Sequence, residues 1–208
     1  MQSFLLFIHI AAGYIGLLAG FIALAVKTFD MKHTWHIQSG KIFFWCMTIV
    51  ALSALPLSFY IKNMFLLLIA IFSAYLTHGG WRYATNRTGQ MRTIDRLSIF
   101  LAITVSIGML LYGIYMLISN NRQGITLLVF SGILLGYVFN EKRLFRHAPI
   151  KNDRRIATHL SHMLAAMIAS VTAFVVTNIT FEPAFILWLA PTIVLIPVIV
   201  YWNRKLLK

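Results

Sequence analysis

Acidic residues are scarce in this sequence, where five Asp and Glu stand against eighteen Lys and Arg in 208 residues, for a formal net charge of +13. Charged residues of all kinds make up 11% of the chain, and no Asp, Glu, Lys or Arg lies at the centre of any long apolar run. That absence argues against a transporter that couples through a carboxylate at the bilayer midplane. The last apolar run, Phe185–Trp202, has no lysine, which excludes a retinal-type Schiff base in that segment. One cysteine is present, Cys46, so no internal disulfide can form, and its apolar setting suits inert packing better than a reactive thiolate. No linker, low-complexity tract or soluble domain interrupts the chain.

What is abundant is apolar. Hydrophobic residues reach 60% and mean hydropathy is +0.81, well above the roughly 45–50% apolar share of soluble globules. The apolar runs are Phe4–Val26, Ile42–Tyr60, Met64–His78, Leu97–Ile118, Ile125–Phe139, Ile156–Val176 and Phe185–Trp202. Most approach the ~20 residues a helix needs to cross ~30 Å of hydrocarbon. The expected fold is therefore all-α, a polytopic membrane bundle of about seven transmembrane helices in one domain, residues 1–208. The third and fifth runs are short, and Tyr60-Ile61-Lys62-Asn63 must make a very tight turn. The first run lacks the basic flank and cleavage site of a signal peptide and reads as a retained helix.

Charge sets the orientation. Lys27, Lys32, Lys41, Arg82, Arg87, Arg92, Arg96, Lys142, Arg143, Arg146, Lys151, Arg154, Arg155, Arg204, Lys205 and Lys208 fall at one set of connections, and only Lys62 and Arg122 at the other. Cytoplasmic connections are the ones enriched in Lys and Arg, so the N-terminus is expected outside and the C-terminus in the cytoplasm. Topology and an anionic inner leaflet account for the positive charge without nucleic acid. Trp35, Tyr60, Trp81 and Trp202 sit where an interfacial aromatic belt belongs. The longest connection, Asn140–Arg155, reads as a basic cytoplasmic loop in which Pro149 ends any helical extension. Spans one to three and five to seven run in the same directions, which allows a parallel three-one-three repeat.

Histidine carries the functional signal. Of seven histidines, His33, His36, His78, His147, His159 and His162 fall at the basic ends of the runs. His33/His36 and His159/His162 each repeat at a spacing of three, which puts the pair on one helix face. Imidazole is a common ligand of transition metals and the axial ligand of b-type haem. His78 with His162 is the preferred axial pair, His36 and His159 are the reserves, and His33, His36, His159 and His162 are the candidate metal ligands. Gly40, Gly79, Gly80, Ala165, Ala166 and Ala169 would make room for a macrocycle, and Lys41, Arg82, Arg154 and Arg155 would meet its propionates. The alternative use is plain: histidine is at home at headgroup level, where a carbonyl satisfies it. A zinc hydrolase would also need an acid near its histidines, for which only Asp95 and Asp153 offer themselves. His9 stands apart, a few residues inside the outer boundary, where an intramembrane polar group is by default functional.

The segment His36-Ile37-Gln38-Ser39-Gly40-Lys41 with Met47, the pair His9 and Gly13, and His159 with Met163, Thr172-Ala173-Phe174 and Asn178 resemble a large family of predicted bacterial inner-membrane proteins classed as a domain of unknown function. The resemblance implies location in the bacterial inner membrane, assigns no activity, and emphasises His9, His36 and His159 over His78 and His162. The expected function is an inner-membrane protein whose histidine cluster binds haem b or a transition metal for electron transfer with membrane quinone. The alternatives are a transporter or small-molecule-binding protein without redox activity, and a structural or accessory subunit.

Overall fold

In the computed structural model residues 2–207 are described, and they form seven helices with no strand among them. These are α1 (Gln2–Thr28), α2 (His33–Tyr60), α3 (Met64–Thr85), α4 (Thr93–Ile118), α5 (Gly124–Arg146), α6 (Asn152–Asn178) and α7 (Phe185–Leu206). Each is long and apolar enough to cross a bilayer, so the chain is a multi-pass membrane protein. Lys208, counted above among the basic residues, lies outside the described residues.

Every helix outruns its apolar stretch at one end or both, because hydropathy marks only the part that suits hydrocarbon while the backbone must keep its hydrogen bonds through the interface as well. The extension is nine residues at the start of α2, which begins at His33 rather than Ile42, and two others bear on the site. α3 continues past His78 to Thr85, and α5 continues past Phe139 to Arg146. The expected long loop at 140–155 is thereby corrected to the short connection 147–151, with Pro149 inside it. The tight turn after Tyr60 is as expected: α3 begins at Met64, and Asn63 Oδ1 accepts the Leu66 N–H at 3.1 Å.

The chain forms two compact units with the boundary inside α3, the first ending at His78 and the second starting at Gly79. In the first unit α1 and α2 make an antiparallel hairpin. A Cβ at Gly16 would stand 3.0 Å from Cys46 Cβ, so the absence of a side chain there is what lets the two helices close. In the second unit α4 and α5 pair in the same way. A Cβ on Gly124 would overlap the Gly113 carbonyl oxygen. Deeper along the same seam, Ser106 Oγ donates to Ser131 O at 3.1 Å and Ser131 Oγ returns a bond to Ser106 O at 2.9 Å. α6 and α7 form the third hairpin, and α7 also touches α5.

The connections at the basic end of the second unit are tied together. Ile150 N–H donates to Gly89 O at 3.0 Å, and Tyr83, Leu144 and Ile150 form a small apolar cluster beside it. Arg155 Nη1 reaches from α6 to the carbonyls of Tyr83 and Ala84, at 2.6 and 3.1 Å, and so satisfies acceptors that the end of α3 leaves without helical donors.

Candidate functional site

Four helices of the second unit converge on one buried ion network. Arg82, in the last turn of α3, sends Nη1 to Asp95 Oδ1 at 2.7 Å and Nη2 to Glu141 Oε1 at 3.0 Å. Asp95 is in the first turn of α4, where the helix dipole favours a carboxylate, and its Oδ2 accepts the Arg92 N–H at 2.7 Å. Glu141 lies on α5 and His162 on α6, both with no exposed surface. His162 Nε2 faces Glu141 Oε1 at 3.3 Å. Each ion has a counter-ion in reach, which is the condition for charge in a dry interior.

The hydrogen atoms can be assigned by elimination. His162 Nδ1 lies 2.9 Å from the Thr158 carbonyl oxygen, an acceptor, so Nδ1 carries a hydrogen and donates it. Nε2 then turns toward Glu141. A proton placed between them would make the group of Arg82, Asp95, Glu141 and His162 neutral, whereas without one a net negative charge is buried.

Aromatic rings close the site. The Tyr137 ring meets the His162 imidazole edge-on with centroids 4.5 Å apart, and the Tyr83 ring lies at 5.5 Å. Tyr137 OH donates to Ser161 O at 2.9 Å, and Asn203 Nδ2 of α7 donates to Ser161 Oγ at 2.7 Å, which holds the histidine-bearing turn of α6 from behind. On the fourth side a Cβ at Gly79 would overlap His162 Cδ2, and one at Gly80 would stand 2.7 Å from Met163 Sδ. The glycine pair is thus filled by α6 side chains.

The histidines singled out in the sequence land differently. His162 is in the network. His159, one turn before it, places Nδ1 2.7 Å from the Gly80 carbonyl. In the first unit His36 Nδ1 bonds the Ala23 carbonyl of α1 at 3.0 Å, and the His33 ring stacks 6.2 Å from it. His78 is exposed and lies against Phe44, with centroids 6.2 Å apart. His9 Nδ1 is within 3.1 Å of Val50 O and 3.0 Å of Ser53 Oγ on α2. Among the described residues no group of three or more His, Cys, Asp or Glu is placed to hold a metal ion. Of the cations set aside for propionates, Arg82 is bound to two carboxylates and Arg155 to two carbonyls and Asn152 Oδ1.

Glu141, which in the sequence reads as part of the 140–155 loop, is the member of the network that hydropathy does not reveal. Its signal is weak: it is one of only five acidic residues, and only Asn140 separates it from the apolar run that ends at Phe139. The chain matches no protein-family model, no curated protein and no solved structure.

Proposed function

We propose that this multi-pass membrane protein belongs to the transporter or small-molecule-binding class and that its working group is the proton shared by His162 and Glu141, with the basic end of the helices in the cytoplasm. The observation that carries the reading is a fully buried carboxylate and imidazole facing each other at 3.3 Å beside the Arg82–Asp95 pair. Intramembrane ionisable residues that pair with one another mark proton and ion pathways. Arg82 and Asp95 hold Glu141 in register, and the proton is the mobile element. The test is proton movement across proteoliposomes followed with an enclosed pH-sensitive dye. Flux that disappears in both Glu141→Gln and His162→Gln supports the reading, and flux unchanged in both overturns it.

A second reading keeps the redox function, with haem b or a transition metal as cofactor and membrane quinone as partner. It is favoured by one observation within the first unit: His36 directs Nδ1 to the Ala23 carbonyl at 3.0 Å, the anchoring by which a second shell orients a metal-bound histidine. An absorption spectrum of the purified protein, oxidised and then reduced, separates the two. Sharp bands on reduction that vanish in His36→Ala favour the cofactor, and a colourless, metal-free protein leaves the proton site.

A further inference from the structure

At the end of the second unit away from the ion network, the α4–α5 and α6–α7 connections flank an open cleft of about 530 Å³ lined by Asn120, Asn121, Arg122, Gln123, Glu182 and neighbouring small residues. Charge is rare at this end of the chain. Arg122 and Glu182 are the charged residues of these two connections, and both line the same cleft. They do not pair with each other, and neither has an ion-pair partner among the described residues. Opposite charges drawn into one cleft yet held apart leave room for a ligand that carries both signs.

The walls are set in place. Asn120 N–H bonds Leu117 O at 3.0 Å and Asn121 N–H bonds Met116 O at 2.8 Å, closing α4 with Asn120 in the left-handed region at φ 58°. Asn121 Oδ1 accepts the Gln123 N–H at 3.0 Å, so the turn that carries Arg122 is hydrogen-bonded on both sides. Immediately after it, Gly124 packs on Gly113 backbone to backbone. Gln123 and Ala184, the residues preceding α5 and α7, both line the cleft, so the positive ends of two helix dipoles add to the potential of Arg122.

We infer that this cleft binds a zwitterionic group, with the anion on Arg122, the ammonium on Glu182 and the amides of Asn120, Asn121 and Gln123 supplying further hydrogen bonds. An anionic group suits the planar guanidinium fork, and the ammonium suits a carboxylate. At the end of a transmembrane hairpin the site stands at headgroup depth. The chemistry therefore has two sources, the phosphoethanolamine headgroup of a membrane lipid or a free amine-bearing phosphate or carboxylate. The inference does not rest on the proton site.

The test uses the full chain in detergent with an equimolar mixture of phosphatidylethanolamine and phosphatidylglycerol, with retained lipid read by native mass spectrometry. The expected result is about tenfold enrichment of phosphatidylethanolamine, the value of one charge-assisted hydrogen bond, lost in both Arg122→Gln and Glu182→Gln. A parallel arm adds soluble O-phosphoethanolamine to lipid-stripped protein and follows thermal unfolding. Stabilisation that depends on Arg122 and Glu182 in this arm alone assigns the site to a free ligand, and enrichment in the lipid arm alone assigns it to the headgroup. Both substitutions fall on exposed side chains, so the helical fold is kept. Equal retention of the two lipids with no stabilisation by the soluble probe, or enrichment that survives both substitutions, overturns the inference.

Discussion

His162 Nε2 and Glu141 Oε1 face each other at 3.3 Å with neither side chain exposed, and the same Glu141 oxygen also accepts from Arg82 Nη2 at 3.0 Å. Removing Glu141 therefore strands two partners at once. Glu141→Ala is expected to cost about 3–5 kcal/mol, the usual penalty for breaking one side of a buried ion pair. Denaturant unfolding in detergent measures it. Glu141→Gln keeps the shape and an acceptor for Arg82, so its loss should be distinctly smaller; equal losses from the two substitutions would show that charge plays no part.

The neighbouring glycine gives a steric test of the same site. A Cβ at Gly79 overlaps the His162 ring, while one at Gly132, also helical, meets nothing within 4 Å. Gly79→Ala must push the imidazole away from Glu141, at about 1–3 kcal/mol for overpacking. Gly132→Ala should be neutral or gain up to about 1 kcal/mol from helix propensity. Thermal unfolding of the two variants side by side settles the contrast.

These two positions show what the sequence made legible and what it did not. Apolar length alone recovered seven helices, since hydrocarbon thickness imposes it run by run. The Tyr60–Asn63 turn followed from the lack of residues to do anything else. Charge, by contrast, ended α3 and α5 too early. Arg82 and Glu141 read as loop residues because a window of hydropathy weighs each charge by itself, whereas in the structure the two neutralise each other across 59 positions of chain. His162 stood out by its spacing from His159. Its partner could not, because nothing local to Asn140-Glu141-Lys142 says which helix it will face.

Arg155 offers a prediction about the connections. Its Nη1 donates to Tyr83 O and Ala84 O, and its Nη2 donates to Asn152 Oδ1 at 2.7 Å. Arg155→Gln should cost about 1.5 kcal/mol, as expected for bonds from a charged donor. Arg155→Lys should recover little of it, because one ammonium does not reproduce the guanidinium fork. Hydrogen exchange at the end of α3 should rise in both variants; unchanged protection at Tyr83–Thr85 would show that α3 ends without this clamp.

His9 is the remaining intramembrane imidazole, and its surroundings separate a structural role from a chemical one. Nδ1 stands near both Val50 O and Ser53 Oγ, and the Ser53 hydroxyl already donates to Ile49 O at 2.7 Å. The imidazole must then be the donor, so Nδ1 carries the hydrogen and Nε2 is left as an acceptor. Ser53→Ala removes one of two acceptors and leaves Val50 O, so it should be mild. A double-mutant cycle over His9→Ala and Ser53→Ala should give a coupling of about 0.6 kcal/mol, the average for hydrogen bonds between membrane helices. If His9 only ties α1 to α2, His9→Ala loses stability and leaves proton flux per folded molecule unchanged. Flux lost in His9→Ala but kept in Ser53→Ala would instead place Nε2, the nitrogen that does not bind α2, on the proton route.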